Sequence, residues 1–222
     1  MSDLERLRAA GAAVTGLVAL LWAIHGLAAM GDWALAPLGV RPGTASGLIG
    51  VLTAPLVHGS WGHLLGNTLP LLVLGTAMAF GTPRAAAIAL PAIWLGSGLA
   101  VWLFARPAVH LGASGIAYGM MLFVFTAGVR RRDRRSIALA LIVFFLHGGM
   151  IWGVLPLAAG VSFEYHLAGA LVGLVCALLL GRRDPVPPRP RKYAWEGEPI
   201  DREHPAADLF PDDGADGDRR EP

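Results

Sequence analysis

The sequence predicts an all-α, polytopic membrane protein with six transmembrane helices, and its composition is the first reason. Apolar residues make up 55% of the 222 residues, and charged residues only 15%. Soluble domains carry roughly 25% charged residues. Several uncharged stretches are about 17–20 residues long, which is the length a helix needs to cross a hydrocarbon core of about 30 Å. A soluble globular fold would leave these stretches unexplained.

Six apolar segments are predicted to be helices, because an open sheet edge in lipid would leave backbone polar groups without partners. The first span follows Arg6 and Arg8, as the apolar part of a signal peptide would. Its apolar run is long for a signal peptide, and no convincing cleavage site follows it. The six predicted spans are Gly11–Met30, Gly62–Phe80, Ala85–Phe104, Ser114–Gly128, Ser136–Leu155 and Tyr165–Gly181.

The distribution of arginine predicts that both termini are cytoplasmic. With the N-terminus inside, the outer loops contain Arg41 and Arg106, and every other arginine before residue 184 is on the inner side. The run RRRDRR at residues 130–135 could indicate nucleic-acid binding. Beside a membrane helix it is more typical of a cytoplasmic anchor that can contact anionic lipid. We therefore expect the lipid bilayer and no nucleic acid as a partner, and a prokaryotic plasma membrane as the location.

Residues 1–182 are predicted to form the membrane domain, and residues 183–222 a disordered cytoplasmic tail. The tail begins as proline-rich DPVPPRPRK and ends in an acidic stretch, so it cannot bury enough apolar surface to fold alone. A polyproline ligand at Pro185–Pro190 is an alternative, although a solvated linker is the simpler interpretation. On the outer side, residues 31–61 form a long connection whose apolar part, Leu48–Val57, is expected to lie partly in the interface.

Three polar elements fall at the outer ends of alternate spans. Ser114 begins the fourth span within the sequence GASG at residues 112–115, and His166 begins the sixth. His63 and Asn67 begin the second span, four residues apart and therefore on one helix face. Since these three spans all run from outside to inside, the predicted topology places the three elements at a similar depth below the outer surface.

A serine and a histidine at one depth indicate a hydrolytic site. A serine hydroxyl is a weak nucleophile until a neighbouring base takes its proton, and the neutral imidazole of His166 can do so near physiological pH. The Ser114 backbone amide, the Asn67 side chain and the His63 ring are candidate donors to an oxyanion. No Asp or Glu lies deep in any span, so a Ser–His dyad is expected, with Tyr118 packing against the imidazole.

Close contact between the fourth and sixth spans is also predicted. Gly115 and Gly119 form a small-xxx-small pair on the fourth span, and Gly169 and Gly173 form another on the sixth. Such pairs let helix backbones approach closely in lipid. The contact would bring the serine and the histidine within hydrogen-bond reach.

These residues resemble the rhomboid family of intramembrane serine proteases over about residues 11–182. The GASG sequence is similar to the family's GxSG motif. The sequence HGSWGHLLGN at residues 58–67 is similar to its second-span signature, and YHLAGALVG at residues 165–173 is similar to its final-span HxxGxxxG motif. GxSG alone is a weak signal, whereas the three motifs in order on a six-span protein are highly specific.

The resemblance implies a rhomboid-like bundle that cleaves single-span membrane proteins in or near the membrane, at helix-destabilising sites with small residues. Substrate would enter laterally past the fifth span, where Phe144, Phe145 and Trp152 are candidate gate residues, although they are as easily explained as lipid-facing aromatics. No cofactor and no metal are expected. The implied site consists of Ser114 as nucleophile, His166 as general base, His63, Asn67 and the Ser114 amide as oxyanion hole, Tyr118, Gly112 and Gly115 in support, and His58 in a structural role.

The sequence departs from the family pattern at one place, and two other classes of function are compatible with parts of it. Many members carry Trp-Arg in the first outer loop, where this chain has Ile49-Gly50. A non-catalytic rhomboid-like protein would bind membrane helices without cutting them. A metal transporter would use the histidines towards the outer side, yet none is paired with a membrane carboxylate or cysteine. The remaining histidines, for which the sequence shows no partner, are His25, His110 and His147.

Overall fold

The computed structural model describes residues 2–157 and 160–185, which form an all-α protein. Short 3-10 helices occur in the outer connection, and a longer one, Gly148–Val154, follows the sixth α-helix. The α-helices are α1 Asp3–Met30, α2 Ile49–Thr53, α3 Trp61–Gly81, α4 Pro83–Phe104, α5 Ser114–Arg131, α6 Arg134–His147 and α7 Phe163–Leu180. Of the tail predicted for residues 183–222, residues 186–222 lie outside the described residues.

Five of the described segments are long and apolar enough to cross a membrane, so the chain is a polytopic integral membrane protein. They are α1, α3, α4, α7 and the continuous segment Arg134–Val154. Five of the six predicted spans are therefore found among these segments. The exception is the predicted fourth span, now α5, whose 18 residues include Arg130 and Arg131 in the last turn. Because α5 lies against α3, α4, α6 and α7, protein rather than lipid covers most of its surface.

The fifth predicted span, Ser136–Leu155, is not one continuous α-helix. Its α-helix ends at His147, and the chain continues as the 3-10 helix Gly148–Val154. The change begins at Gly148 and Gly149, and glycine is a poor α-helix former because its backbone loses the most freedom on ordering. The tighter winding of the 3-10 helix changes the direction of the carbonyl groups near the outer end.

The sequence predicted a close contact between the fourth and sixth spans, which are α5 and α7 in the structure. A Cβ added to Gly169 would overlap the Gly115 carbonyl oxygen, and one added to Gly173 would overlap the Gly119 carbonyl oxygen. The two backbones therefore touch at both glycine pairs, as small residues allow in a membrane bundle. The prediction of close contact is confirmed.

The start of α4 and the ends of α5 and α7 are joined by polar contacts. The Asp184 carboxylate accepts hydrogen bonds from the backbone N–H groups of Arg84 and Ala85, both at 2.9 Å. It therefore caps the N-terminus of α4, where a negative charge is favoured. Arg131, at the end of α5, donates to the Asp184 carbonyl oxygen at 2.9 Å. Arg131 also donates to the Ser136 hydroxyl at 2.9 Å, which fastens the inner end of α6.

The outer connection is held on the bundle by backbone and indole contacts. Val40 and His110 exchange two backbone hydrogen bonds of 2.8 and 2.9 Å. The indole N–H of Trp94 donates to the Leu52 carbonyl oxygen at 3.1 Å. A Cβ on Gly50 would overlap the Gly39 and Val40 backbone, so a larger residue does not fit there. This close approach is a physical reason for glycine at a position where many family members carry arginine.

His58, in the same connection, is buried, with 1% of its surface exposed. Its Nε2 accepts a hydrogen bond of 3.4 Å from the Ala113 backbone N–H. Burial, followed by the nearby His63 and His25, lowers the pKa of His58 to about 4. A neutral ring is the form that can accept this bond, so His58 braces the chain just before α5 at physiological pH.

Replacing Gly173 with alanine is expected to separate α5 and α7. The new methyl would overlap a backbone oxygen that has no side-chain freedom to move, and overpacking of this kind costs roughly 1–3 kcal/mol. Thermal unfolding in detergent should show a clear loss of stability. Gly16→Ala in α1 is the matched control, since a Cβ at Gly16 meets nothing within 4 Å. Equal stability of the two variants would contradict the contact.

The neutral state of His58 predicts a stability loss on acidification. Because its pKa is lowered in the fold, the unfolded state binds more protons below about pH 6.5, and the destabilisation grows as the pH falls to about 4. The lowered pKa corresponds to a loss of about 3 kcal/mol in the free energy of unfolding over this pH range. His58→Gln, which keeps an acceptor but does not titrate, should flatten the unfolding temperature between pH 7 and 4. An unchanged pH profile in that variant would refute the assignment.

Candidate active site

The serine of the GASG sequence lies at the first residue of α5, where a bend in the chain turns into a helix. Gly112 has a φ of +107°, a conformation that only glycine adopts readily. A Cβ on Gly112 would also meet the His63 ring at 2.5 Å. Gly112 therefore serves both the bend and the close approach of α3. Gly115 is required in a similar way, since a Cβ there would meet the Tyr165 ring at 2.6 Å.

Ser114 and His166 are hydrogen-bonded to each other. The Ser114 Oγ lies 2.9 Å from the His166 Nε2. One residue is at the start of α5 and the other near the start of α7, so the contact between these helices sets the distance. Ser114 is half-buried, and His166 is buried. The geometry is that of a nucleophile within reach of a base.

The other ring nitrogen of His166 is also held. Its Nδ1 lies 2.8 Å from the Gly153 carbonyl oxygen, in the 3-10 helix after α6. A carbonyl oxygen only accepts, so Nδ1 carries the proton and donates. The neutral ring then has its free lone pair at Nε2, where it can accept the proton of the Ser114 hydroxyl. A backbone carbonyl here takes the orienting place that a carboxylate fills in a Ser–His–Asp triad.

Gly153 contributes a contact to this site that the sequence did not indicate. A backbone carbonyl has no residue-type signature, so no motif points to it. The only signal that the sequence carries for this contact is indirect. No acidic residue in the spans can pair with His166, so the N–H of its second ring nitrogen needs some other acceptor. Position 153 also has to be glycine, because a Cβ there would overlap the Tyr118 hydroxyl and approach the His166 Nδ1 to 3.3 Å.

Tyr118 packs flat against the base. Its ring lies parallel to the His166 imidazole, with centroids 4.2 Å apart and planes 7° from each other. The spacing of four residues from Ser114 places it one turn further along α5. The imidazole is therefore held at three places: by stacking on its face and by a hydrogen bond at each nitrogen.

The predicted oxyanion donors line the same cavity from α3. The Asn67 side-chain amide donates one hydrogen bond to the His63 carbonyl oxygen at 2.9 Å, which leaves its second N–H to donate elsewhere. His63 lies edge-on to His58, with ring centroids 5.0 Å apart. The backbone N–H of Ser114 belongs to the first turn of α5, where N–H groups have no partner within the helix.

The cavity that these residues share has a volume of about 700 Å³. Residues from α3, α5, the connection before α5, the 3-10 helix after α6 and the start of α7 form its walls, and the apolar side chains among them include Pro70, Leu111 and Met150. Among the described residues that line it, none carries a carboxylate. In residues 2–157 and 160–185, no group of three His, Cys, Asp or Glu side chains has the arrangement of a metal site. The lining side chains that carry hydrogen-bonding groups are Ser60, His63, Asn67, Ser114, Tyr118, Ser162 and His166.

Comparison with known proteins gives a family. The model of the Rhomboid domain matches residues 45–183, which is more than half of the chain. An uncharacterized protein of Mycobacterium tuberculosis is 37% identical over 179 residues, covering 77% of this chain and 75% of that protein. A protein of Mycobacterium leprae is 32% identical over 179 residues, covering 77% of this chain and 71% of that protein. By both the domain match and the extent of these similarities, the chain belongs to the rhomboid family.

Proposed function

We propose that this protein is an intramembrane serine endopeptidase that cleaves the transmembrane segments of other membrane proteins. The observation that carries the proposal is the 2.9 Å contact between the Ser114 Oγ and the His166 Nε2, with the opposite nitrogen bonded to the Gly153 carbonyl. A packing serine would need only one hydrogen-bond partner. Here the partner is itself oriented so that its acceptor nitrogen faces the hydroxyl.

The first half of the reaction is acylation of Ser114. Its oxygen attacks the carbonyl carbon of the scissile peptide bond while its proton passes to the His166 Nε2. The C–N bond then breaks, and the same proton goes from the imidazolium to the leaving amine. Because the Gly153 carbonyl accepts from Nδ1, it stabilises the imidazolium that forms between the two transfers, through a charge-assisted hydrogen bond.

The negative charge that develops on the substrate oxygen is stabilised by donors already present in the cavity. The Ser114 backbone N–H, the second Asn67 N–H and the His63 ring are the proposed donors. Preorganised donors of this kind are each worth about 10²–10³ in rate. In the second half of the reaction, His166 takes a proton from a water molecule as its oxygen attacks the acyl carbonyl carbon. The C–O bond to Ser114 then breaks, the imidazolium returns the proton to the Ser114 Oγ, and the carboxylic acid product leaves.

The proposed topology has six spans, with α5 as the fourth span along the chain and both termini in the cytoplasm. A helix surrounded by other helices does not need an apolar surface all round, so the arginines at the end of α5 are compatible with a span. They then lie on the cytoplasmic side. This topology opens the cavity towards the extracytoplasmic side, from which water reaches it.

Substrates are proposed to be single-span membrane proteins that enter past α6. The exposed aromatics Phe144, Phe145 and Trp152 are 53%, 79% and 65% exposed, so they project from the bundle on this side. A preference for small side chains next to the cut is part of the same proposal and follows from the family resemblance.

Replacement of the dyad tests the proposal. Ser114→Ala and His166→Ala should each lower cleavage of a model membrane substrate in proteoliposomes by at least about 10³-fold, without lowering the unfolding temperature by more than a few degrees. Asn67→Ala should lose less, because other donors remain. Ser2→Ala at the start of α1 is the control, since its exposed hydroxyl only caps its own helix by accepting from the Glu5 N–H at 3.2 Å.

Labelling with a fluorophosphonate separates this enzyme from a non-catalytic, helix-binding rhomboid-like protein. The wild type should be labelled and Ser114→Ala should not. Cleavage by Ser114→Ala equal to that of the wild type would refute the dyad. A wild type that binds membrane helices but is neither labelled nor active would establish the binding function instead.

Gly153→Ala is expected to lower the cleavage rate by about tenfold or more, because a displaced carbonyl no longer holds the imidazole in the required orientation. Adding Tyr118→Phe to Gly153→Ala removes the hydroxyl that the new methyl overlaps, and should recover part of the loss. Gly149→Ala, in the same 3-10 helix, is the control, since a Cβ at Gly149 meets nothing within 4 Å. A fully active Gly153→Ala enzyme would contradict the role of this carbonyl.

A further inference from the structure

A second hydrogen bond joins the same two parts of the chain as the Ser–His pair. The His110 Nδ1 lies 2.5 Å from the Ser162 Oγ. His110 is four residues before Ser114, and Ser162 is four residues before His166. The partners of each hydrogen bond are therefore separated by the same distance along the chain, 52 residues. The His110–Ser162 bond joins the residues just before α5 and α7, and the Ser114–His166 bond joins residues four positions further along each segment.

His110 is fixed to the protein through all of its hydrogen-bonding groups. Its backbone N–H and carbonyl pair with Val40 of the outer connection. Its Nε2 lies 3.1 Å from the Arg106 carbonyl oxygen, which can only accept, so Nε2 is the donor. In the neutral ring Nδ1 is then the acceptor, and the Ser162 hydroxyl donates to it. With 1% of its surface exposed, His110 has almost no freedom to move.

Ser162 occupies a position at which serine has a different usual role. It is the N-cap residue of α7, yet its side chain makes no capping hydrogen bond to that helix. A serine cap typically stabilises a helix by about 1 kcal/mol. Here the hydroxyl bonds to His110 instead, which links the beginning of α7 to the connection before α5.

Arg106 contacts the same region but is less suited to set a distance. Its side chain donates to the Val161 carbonyl oxygen at 2.8 Å and pairs with Glu164 at 3.4 Å. It is 45% exposed at the ion pair, where solvent and side-chain motion weaken the interaction. The His110–Ser162 bond is short, and its histidine is buried and fixed at every hydrogen-bonding group, so it limits the position of α7 more strictly.

We propose that His110 and Ser162 form a positioning pair that sets the distance between Ser114 and His166. This inference rests on the proposed function, because it assigns the pair to the same reaction. His166 lies one helical turn beyond Ser162, so a shift at the start of α7 is passed to the imidazole. A misplacement of about 1 Å can cost 10²-fold in rate. Neither residue contacts the reacting atoms in this role.

The test compares Ser162→Ala and Ser162→Thr in proteoliposomes. Ser162→Ala should lower kcat about tenfold and leave KM within about twofold, because the dyad rather than substrate binding is disturbed. Its fluorophosphonate labelling should slow by a similar factor. Ser162→Thr keeps the hydroxyl and should keep kcat within about twofold. His110→Ala and the double variant should each lose about as much as Ser162→Ala alone, since the residues act as one unit.

Ser2→Ala is the matched control, because Ser2 is an N-cap serine whose hydroxyl does cap its helix, accepting from the Glu5 N–H at 3.2 Å. It should lower the unfolding temperature without changing kcat. If Ser162→Ala behaves in the same way, with wild-type kcat and lower stability, the pair is structural and the inference is overturned. The inference is also overturned if Ser162→Thr is as slow as Ser162→Ala. A wild type that neither cleaves nor is labelled would instead refute the proposed function itself.

Discussion

The contact between the backbones of α5 and α7 is the constraint on which the rest of the site depends. At Gly115–Gly169 and Gly119–Gly173 no side chain fits between the helices. In lipid, where apolar side chains gain little by leaving their surroundings, such close packing is a main source of helix association. It also brings the first turns of the two helices together. The Ser114–His166 distance therefore depends first on the helix pair, and the proposed His110–Ser162 pair adjusts it from the segments just before the two helices.

A site inside a membrane has to avoid an uncompensated charge, and the arrangement around His166 meets this requirement. A buried carboxylate beside the imidazole would cost several kcal/mol unless it were fully paired. The Gly153 carbonyl is a fixed dipole whose negative end faces the imidazole, as a carboxylate would, but it carries no net charge. Tyr118 adds a stacked ring on the face of the imidazole. Orientation is thus achieved with neutral groups, which suits a low-dielectric environment.

Residue type and spacing were enough to predict the part of the site that side chains build. Ser114, His166 and Tyr118 lie on helices, where intervals of four residues define a face, and the structure places them in contact. The Gly153 carbonyl could not be predicted in this way, because every residue has one. Its direction depends on the change from α-helix to 3-10 helix after His147. The Asp184 cap on α4 is similar, since about a hundred residues separate its partners and no local pattern records such a contact.

The two ends of α6 are attached differently. Its inner end is fastened through Arg131 and Ser136, whereas the chain beyond its outer end contacts the base through the Gly153 carbonyl. If α6 swings outward about its inner end to admit a substrate, that carbonyl moves away from His166 with it. The open form of such an enzyme would then have a poorly oriented base. Under the proposed function, peptide-bond cleavage would wait until the helix had closed behind the substrate, and a membrane protein that entered only briefly would leave uncut.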